Sequence, residues 1–148
     1  MTSKVFAIRK AGSGDYSTCL PLLTLLYHND IGPNFKDTFD DFVKCDDCVI
    51  LVSESGGNVV GILIGSRCLD IDWEGKTAKI DALIVDEAFR RMGIGEKLVD
   101  HFIKLSRKQG CKAVKSRVNR KNRHAQKFHE SLGFERADTY EYILDFQG

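Results

Sequence analysis

Apolar and polar positions follow two different periods along this chain, and the switches between them mark its predicted elements. Residues 4–11 alternate well enough for an opening strand. Asp15 then stands where a helix cap is expected, ahead of Cys19, Leu22, Leu23, Leu26 and Tyr27 at helical spacing. Pro21 falls in the first turns of that helix, where a missing N–H does little harm. Residues 29–34 are a loop by composition, and a short helix near residues 36–44 carries Phe39, Phe42 and Val43 inward. Residues 48–53 and 59–65 are apolar runs of strand length, joined by Glu-Ser-Gly-Gly-Asn, a hairpin signal. Residues 70–76 make a second turn, longer and acidic.

The stretch over residues 80–110 is the most informative. Residues 80–85 have the branched apolar composition of a buried strand. Across residues 96–109, Leu98, Phe102 and Leu105 lie at helical spacing, with Gly110 as the expected stop. Between the two lies Asp86-Glu87-Ala88-Phe89-Arg90-Arg91-Met92-Gly93-Ile94-Gly95. Strand, two-glycine loop and helix together offer bare backbone N–H groups to a phosphate, and the helix N-terminus adds about half a positive charge. Gly93 and Gly95 allow close approach to the main chain, and Arg90 and Arg91 supply cations. No Gly-Lys-Ser/Thr follows, so this is not a P-loop, and a dinucleotide fingerprint would need a third glycine where Leu98 stands. Residues 113–118 read as a further strand, 122–132 as the last helix and 140–146 as a closing strand. Strands that pair first by hairpins and later alternate with helices imply a mixed α/β sheet with helices on both faces, in one domain over residues 1–148.

Arg90-Arg91-Met92-Gly93-Ile94-Gly95 resembles the Arg/Gln-x-x-Gly-x-Gly/Ala segment with which the GNAT acetyltransferase superfamily binds the pyrophosphate of acetyl-CoA. Asn122-Arg123-His124-Ala125, followed by Phe128-His129-Glu130-Ser131-Leu132-Gly133-Phe134, resembles that family's last helix, Asn-x-x-Ala…Tyr-Glu-x-x-Gly-Phe. The two motifs come in the family's order and separation, and the resemblance extends along the chain. It implies the GNAT acyl-CoA N-acyltransferase fold, a central, mostly antiparallel sheet splayed at the CoA site. It also implies transfer of the acetyl group of acetyl-CoA to a primary amine by direct attack in a ternary complex.

The resemblance assigns roles residue by residue. CoA contacts are implied at Leu83, Ile84 and Val85, from Arg90, Arg91, Met92, Gly93, Ile94 and Gly95 to Glu96, and at Asn122. The Val85 N–H is implied as the group that polarises the thioester carbonyl. An alkyl amine is mostly protonated at pH 7, and freeing it costs about 4 kcal/mol unless a base assists. Asp81 stands where many members carry a glutamate base; the plainer reading is an ion pair with a neighbouring Lys or Arg. His129 replaces the tyrosine that often protonates the leaving thiolate, a departure from the family. A histidine can donate a proton at neutral pH, or it is a helix-surface residue and water does the work. Tyr140 and Tyr142 are the spare candidates.

Composition acts mainly by exclusion. A net charge of +1 gives no argument for a nucleic-acid or membrane partner. No apolar run nears the roughly 20 residues of a membrane span and no secretory pattern opens the chain, so a cytoplasmic location is expected. Five scattered cysteines, an odd number, read as reduced, buried thiols. Cys45-Asp46-Asp47-Cys48 has the spacing of half a zinc site without a second pair, and no metal is expected. Arg117, Arg120, Lys121, Arg123 and Lys127 form a basic stretch, in which one cation for the CoA 3′-phosphate is implied and the rest are solvated.

The acceptor pocket is expected from residues 27–39, the 70–75 turn and the last strand. Asp30, Asp37, Asp70, Asp72 and Glu74 in those stretches lean towards a cationic small-molecule amine. A protein lysine or N-terminus is the alternative acceptor. A CoA-binding module without turnover is the rival class, motivated by the missing tyrosine, and a partner on the ribosome is a third. A homodimer through the closing strand fits the pattern, and nothing in the sequence decides it.

Overall fold

In a computed structural model, residues 6–147 are described; Lys4 and Val5 of the expected opening strand lie outside the described residues. The elements are β1 (Ala7–Lys10), α1 (Tyr16–Leu26), α2 (Phe35–Lys44), β2 (Cys48–Ser55) and β3 (Asn58–Asp70), then β4 (Gly75–Val85), α3 (Ile94–Lys108), β5 (Val114–Ser116) and α4 (Arg123–Ser131). They form two compact units, one ending at Arg117 and one beginning at Val118. Among the described residues no helix is long and apolar enough to cross a membrane.

The first unit is built on a sheet of order β1-β2-β3-β4-β5, antiparallel except for the β4–β5 pair. Its centre is the β2–β3 hairpin, closed by Gly56 and Gly57 alone at φ 57° and 81°. Two successive positive φ values match the right-handed strand twist, which explains why the turn is two glycines. Alternation then sorts the sheet into two faces. Ile50, Val52, Ile62, Ile64, Ala82 and Ile84 pack against Cys19, Leu22 and Leu23 of α1 and Phe39 of α2. The opposite face receives the apolar stripe of α3, with Ile94, Leu98 and Phe102 buried. Gly61 and Gly65 make that approach close enough that an added Cβ at Gly65 would lie 2.4 Å from the Phe102 ring.

Several expectations need correction. Asp15 does not cap α1 with its side chain. Its Oδ2 accepts from the Gly12 N–H at 2.7 Å, and both oxygens meet Arg9, at 2.7 and 2.9 Å. A guanidinium fork satisfies both oxygens at once, which one amide N–H cannot. Pro21 is the sixth residue of α1, not in its first turn, so it removes the bond that would run back to the Ser17 carbonyl. β3 continues to Asp70, because pairing with the first half of β4 carries it past the end of its apolar run. β5 is confined to three residues. Of the cysteines only Cys19 is buried; the others sit at element ends or on the exposed part of β3, and none is in a disulfide.

The second unit contains α4, capped by Asn122, whose side chain accepts from the Ala125 N–H at 3.0 Å. The helix ends on Gly133 at φ 93°, with the Phe134 N–H returning to the His129 carbonyl and the Gly133 N–H to that of Glu130. That double closure is why a glycine follows the helix. Residues 140–146 are not a strand, contrary to expectation. Their alternation is real, but a strand exists only with a partner ladder, and the sheet ends at β5.

Candidate active site

β4 is flanked unequally. Its β3 ladder runs to Val85, whereas its β5 ladder joins only Ala78, Lys79 and Ile80 to Val114, Lys115 and Ser116. Residues 81–85, with Leu83, Ile84 and Val85, therefore have no strand on their second side among the described residues. A parallel sheet normally satisfies both sides of an inner strand, so this edge is open to an extended ligand.

The open edge leads directly into the glycine loop. Asp86 accepts from the Ala88 N–H at 3.0 Å and starts a 3-10 turn over Glu87–Phe89. Arg90 then donates from Nε to the Val85 carbonyl at 3.3 Å, and both Arg90 and Arg91 are exposed. Arg91 at φ 64° and Gly93 at φ 78° bend the chain into α3. The first intrahelical bond is from the Lys97 N–H to the Gly93 carbonyl, so the N–H groups of Ile94, Gly95 and Glu96 start the helix without intrahelical acceptors. Nothing lies within 4 Å of where a Gly93 Cβ would stand. Bare donors, a positive helix end, two arginines and space beside the main chain suit a diphosphate.

Asp81 owes its position to a register change. Ile64 pairs with Ala82 but Gly65 pairs with Ile80, leaving Asp81 as the extra residue of a β-bulge. Asp81 and Ala82 consequently line the same cavity, where a regular strand would turn them to opposite faces. The Asp81 Oδ2 accepts from the Ser66 hydroxyl at 2.8 Å, and Oδ1 lies 3.1 Å from the Lys79 ammonium. Both oxygens keep acceptor capacity for a further donor. The cavity holds about 100 Å³ between α1, α2 and the sheet, walled by Tyr27, Phe35, Phe39 and Phe42 and floored by Ile50 and Ile64. Tyr27 and Phe35 meet edge to face with centroids 5.5 Å apart. Burial, and after it the Asp81 charge, raises the Tyr27 hydroxyl above the usual phenol range, so it stays protonated. Burial, reinforced by a hydrogen bond with Cys45, pushes the Cys48 thiol up to about 12, which removes it as a nucleophile at neutral pH.

Asn122 and His129 belong to the second unit. Asn122 caps its own helix. The His129 Nδ1 is 2.8 Å from the Ala125 carbonyl oxygen, which only accepts, so Nδ1 carries a proton. Phe128 and Phe134 meet the imidazole edge to face at 5.5 and 5.3 Å.

Ser66 and the bulge escaped the sequence reading, whereas the ion pair expected for Asp81 with a neighbouring Lys or Arg is made by Lys79. The available signal was an aspartate inside an otherwise apolar run, which a regular buried strand does not tolerate. The acidic turn does not line this cavity: Asp70 is paired with Lys115, which holds its carboxyl below the usual range, and accepts from the Asp72 N–H. Among the described residues no cluster of three metal-ligating side chains occurs.

A profile of the acetyltransferase (GNAT) family matches residues 19–134. An uncharacterized N-acetyltransferase of Methanocaldococcus jannaschii is 30% identical across 92% of this chain, which spans 63% of that relative's length. Among solved structures, the aminoglycoside N-acetyltransferase AAC(6')-Iy in complex with CoA superposes with a TM-score of 0.89 at 17% identity, over 98% of this chain and 97% of that one. AAC(6')-Ih, an aminoglycoside 6'-N-acetyltransferase from Acinetobacter baumannii, gives 0.84 at 18% identity, over 97% and 100%. A ribosomal-protein-alanine N-acetyltransferase from Brucella melitensis gives 0.79 at 18% identity, over 96% and 99%. At such identities the superpositions speak for the fold alone. The family profile spans most of the chain and includes the open strand, the glycine loop and the last helix, and this protein belongs to the acetyltransferase (GNAT) family.

Proposed function

We propose that this protein transfers the acetyl group of acetyl-CoA to the primary amine of a small molecule, by direct attack within a ternary complex. The observation that carries the reading is the open edge of β4 at residues 81–85, continuous at one end with a phosphate-suited helix start and bordered by a cavity with a carboxylate. Bound acetyl-CoA supplies an acyl thioester already activated towards amines. Leu83, Ile84 and Val85 offer backbone groups to an extended arm, and Arg90, Arg91, Met92, Gly93, Ile94, Gly95 and Glu96 hold the diphosphate. Asn122 caps its own helix, and the family motif implies a CoA contact for it.

The remaining steps are assigned to this chain's own groups. Asp81 takes the ammonium proton, directly or through water, which offsets part of the roughly 4 kcal/mol needed to free the amine. The amine nitrogen then bonds to the acyl carbon while the Val85 N–H stabilises the oxygen, an effect of a few kcal/mol. The C–S bond breaks and the leaving sulfur is protonated, a role that the family motif implies for His129 in place of its tyrosine.

CoA-thiol release from acetyl-CoA against a panel of amines and lysine peptides tests this, with Gly93→Asp and Asp81→Asn alongside. The expected result is turnover of at least one small amine that falls by on the order of 100-fold in both variants. Acetyl-CoA binding without turnover of any amine would overturn the enzyme reading in favour of a binding module. Absence of acetyl-CoA binding would overturn both.

A further inference from the structure

The cavity beside Asp81 differs from the pocket that a polycation would need. Four aromatic rings and two isoleucines make its wall and floor with Thr38 and Ala82 beside them, and among the described residues Asp81 is the only charged one that lines it. The acidic residues that lean towards a cationic acceptor in the sequence, Asp30, Asp37, Asp70, Asp72 and Glu74, do not line it, and Asp70 pairs with Lys115. A second ammonium, or a ring of hydroxyls, would lose water in this cavity and find few partners beyond the Tyr27 and Thr38 hydroxyls. A single ammonium with an apolar body would lose little, since aromatic faces attract a cation and apolar surface gains from burial.

We propose that the acceptor is a monoamine whose amine-bearing carbon carries a compact apolar or aromatic group, seated among Tyr27, Phe35 and Phe42 with its nitrogen at Asp81. The inference rests on the acetyltransferase reading above and narrows its substrate class. About 100 Å³ accommodates one ring or a short branched chain, not an oligosaccharide. Lys79 does not line the cavity, and its ammonium, 3.1 Å from Oδ1, is half exposed, so a substrate ammonium displaces it from Asp81 without leaving a buried charge unpaired. The rings of Tyr27 and Phe35, held edge to face, give the apolar group a fixed wall to pack on. The aminoglycoside enzymes named above share the fold, and their likeness carries no information about this lining.

The test compares kcat/KM at saturating acetyl-CoA for 2-phenylethylamine and isobutylamine against ethanolamine, spermidine and kanamycin, in the native protein and in Phe42→Ala and Phe42→Leu. The expected result is a preference of at least tenfold for the apolar monoamines. Phe42→Ala should raise their KM by about tenfold and leave that of ethanolamine within twofold, with Phe42→Leu in between; thermal melts establish that both variants are folded. Higher kcat/KM for spermidine or kanamycin overturns the inference and leaves the acetyltransferase reading standing. So does an equal loss for all amines in a folded Phe42→Ala. If no amine turns over, the reading beneath it fails and the inference with it.

Discussion

Asp81 is held by two partners of unequal weight. The Ser66 hydroxyl is half-buried beside it, whereas the Lys79 ammonium is half exposed, and such pairs contribute at most about 1 kcal/mol. Lys79→Met is therefore expected to lower the amine KM by up to about fivefold, leaving the acetyl-CoA KM unchanged; initial rates at two fixed acetyl-CoA concentrations decide it. Arg9 sets a different residue-scale balance by joining Asp15 and Glu54. Its hydrogen bond, with that of the Gly12 N–H, lowers Asp15 from 3.8 to about 2. A carboxylate depressed in the folded state supplies stability that is complete above about pH 4 and disappears as pH falls towards 2. Urea midpoints should fall more gently over that interval in Arg9→Met than in the native protein, and parallel curves would exclude the linkage. Asp81 and Gly93 are legible in the sequence because each breaks its surroundings, a charge in an apolar run and a glycine before a helix. The role of Asp15 is not, because the same side chain serves a cap or an ion pair, and only the folded position of Arg9 chooses.

Among the elements, α3 approaches the sheet over two glycines. An alanine Cβ at Gly65 would meet the Phe102 ring at 2.4 Å and the Lys79 carbonyl oxygen at 3.1 Å, so Gly65→Ala should cost about 1–3 kcal/mol. Phe102→Leu in the same chain should recover part of that loss, which urea denaturation of the double variant would show; strict additivity would mean the ring is not the obstacle. Gly93→Ala has open space around it, and its cost of about 1–2 kcal/mol should come from φ 78° alone. The hairpin, α2 and α3 could be read from periodicity because each has one apolar face and a clear stop. The extension of β3 to Asp70 could not, since Ser66, Arg67 and exposed Cys68 and Leu69 carry no burial signal and are held by pairing with β4, with Arg67 also bound to Asp47.

At the scale of the molecule, near-neutral charge and an apolar terminus act together. The net charge is +1 and the pI about 7.6, so electrostatic repulsion between copies is weakest near neutrality. Tyr140, Tyr142, Ile143, Leu144 and Phe146 are each at least 76% exposed, an apolar string that repulsion does not guard. Solubility in polyethylene glycol should pass through a minimum at about pH 7.6 and rise in Leu144→Lys, and a flat profile would discount charge as the control. Those residues read as a strand because their alternation is sound; alternation reports which side chains share a face, not whether a neighbour exists. The bulge in β4 has a different consequence. The orientation of its carboxylate depends on how many residues lie between Ile80 and Ala82, not only on which residue stands there. Substitution scanning would never reveal this, because every variant keeps the chain length. Removing one residue there would even out the ladder and give a better-paired sheet that has lost its grip on the amine. Among relatives, that event would look like a single gap inside an apolar strand, the kind of gap most readily taken for an alignment error.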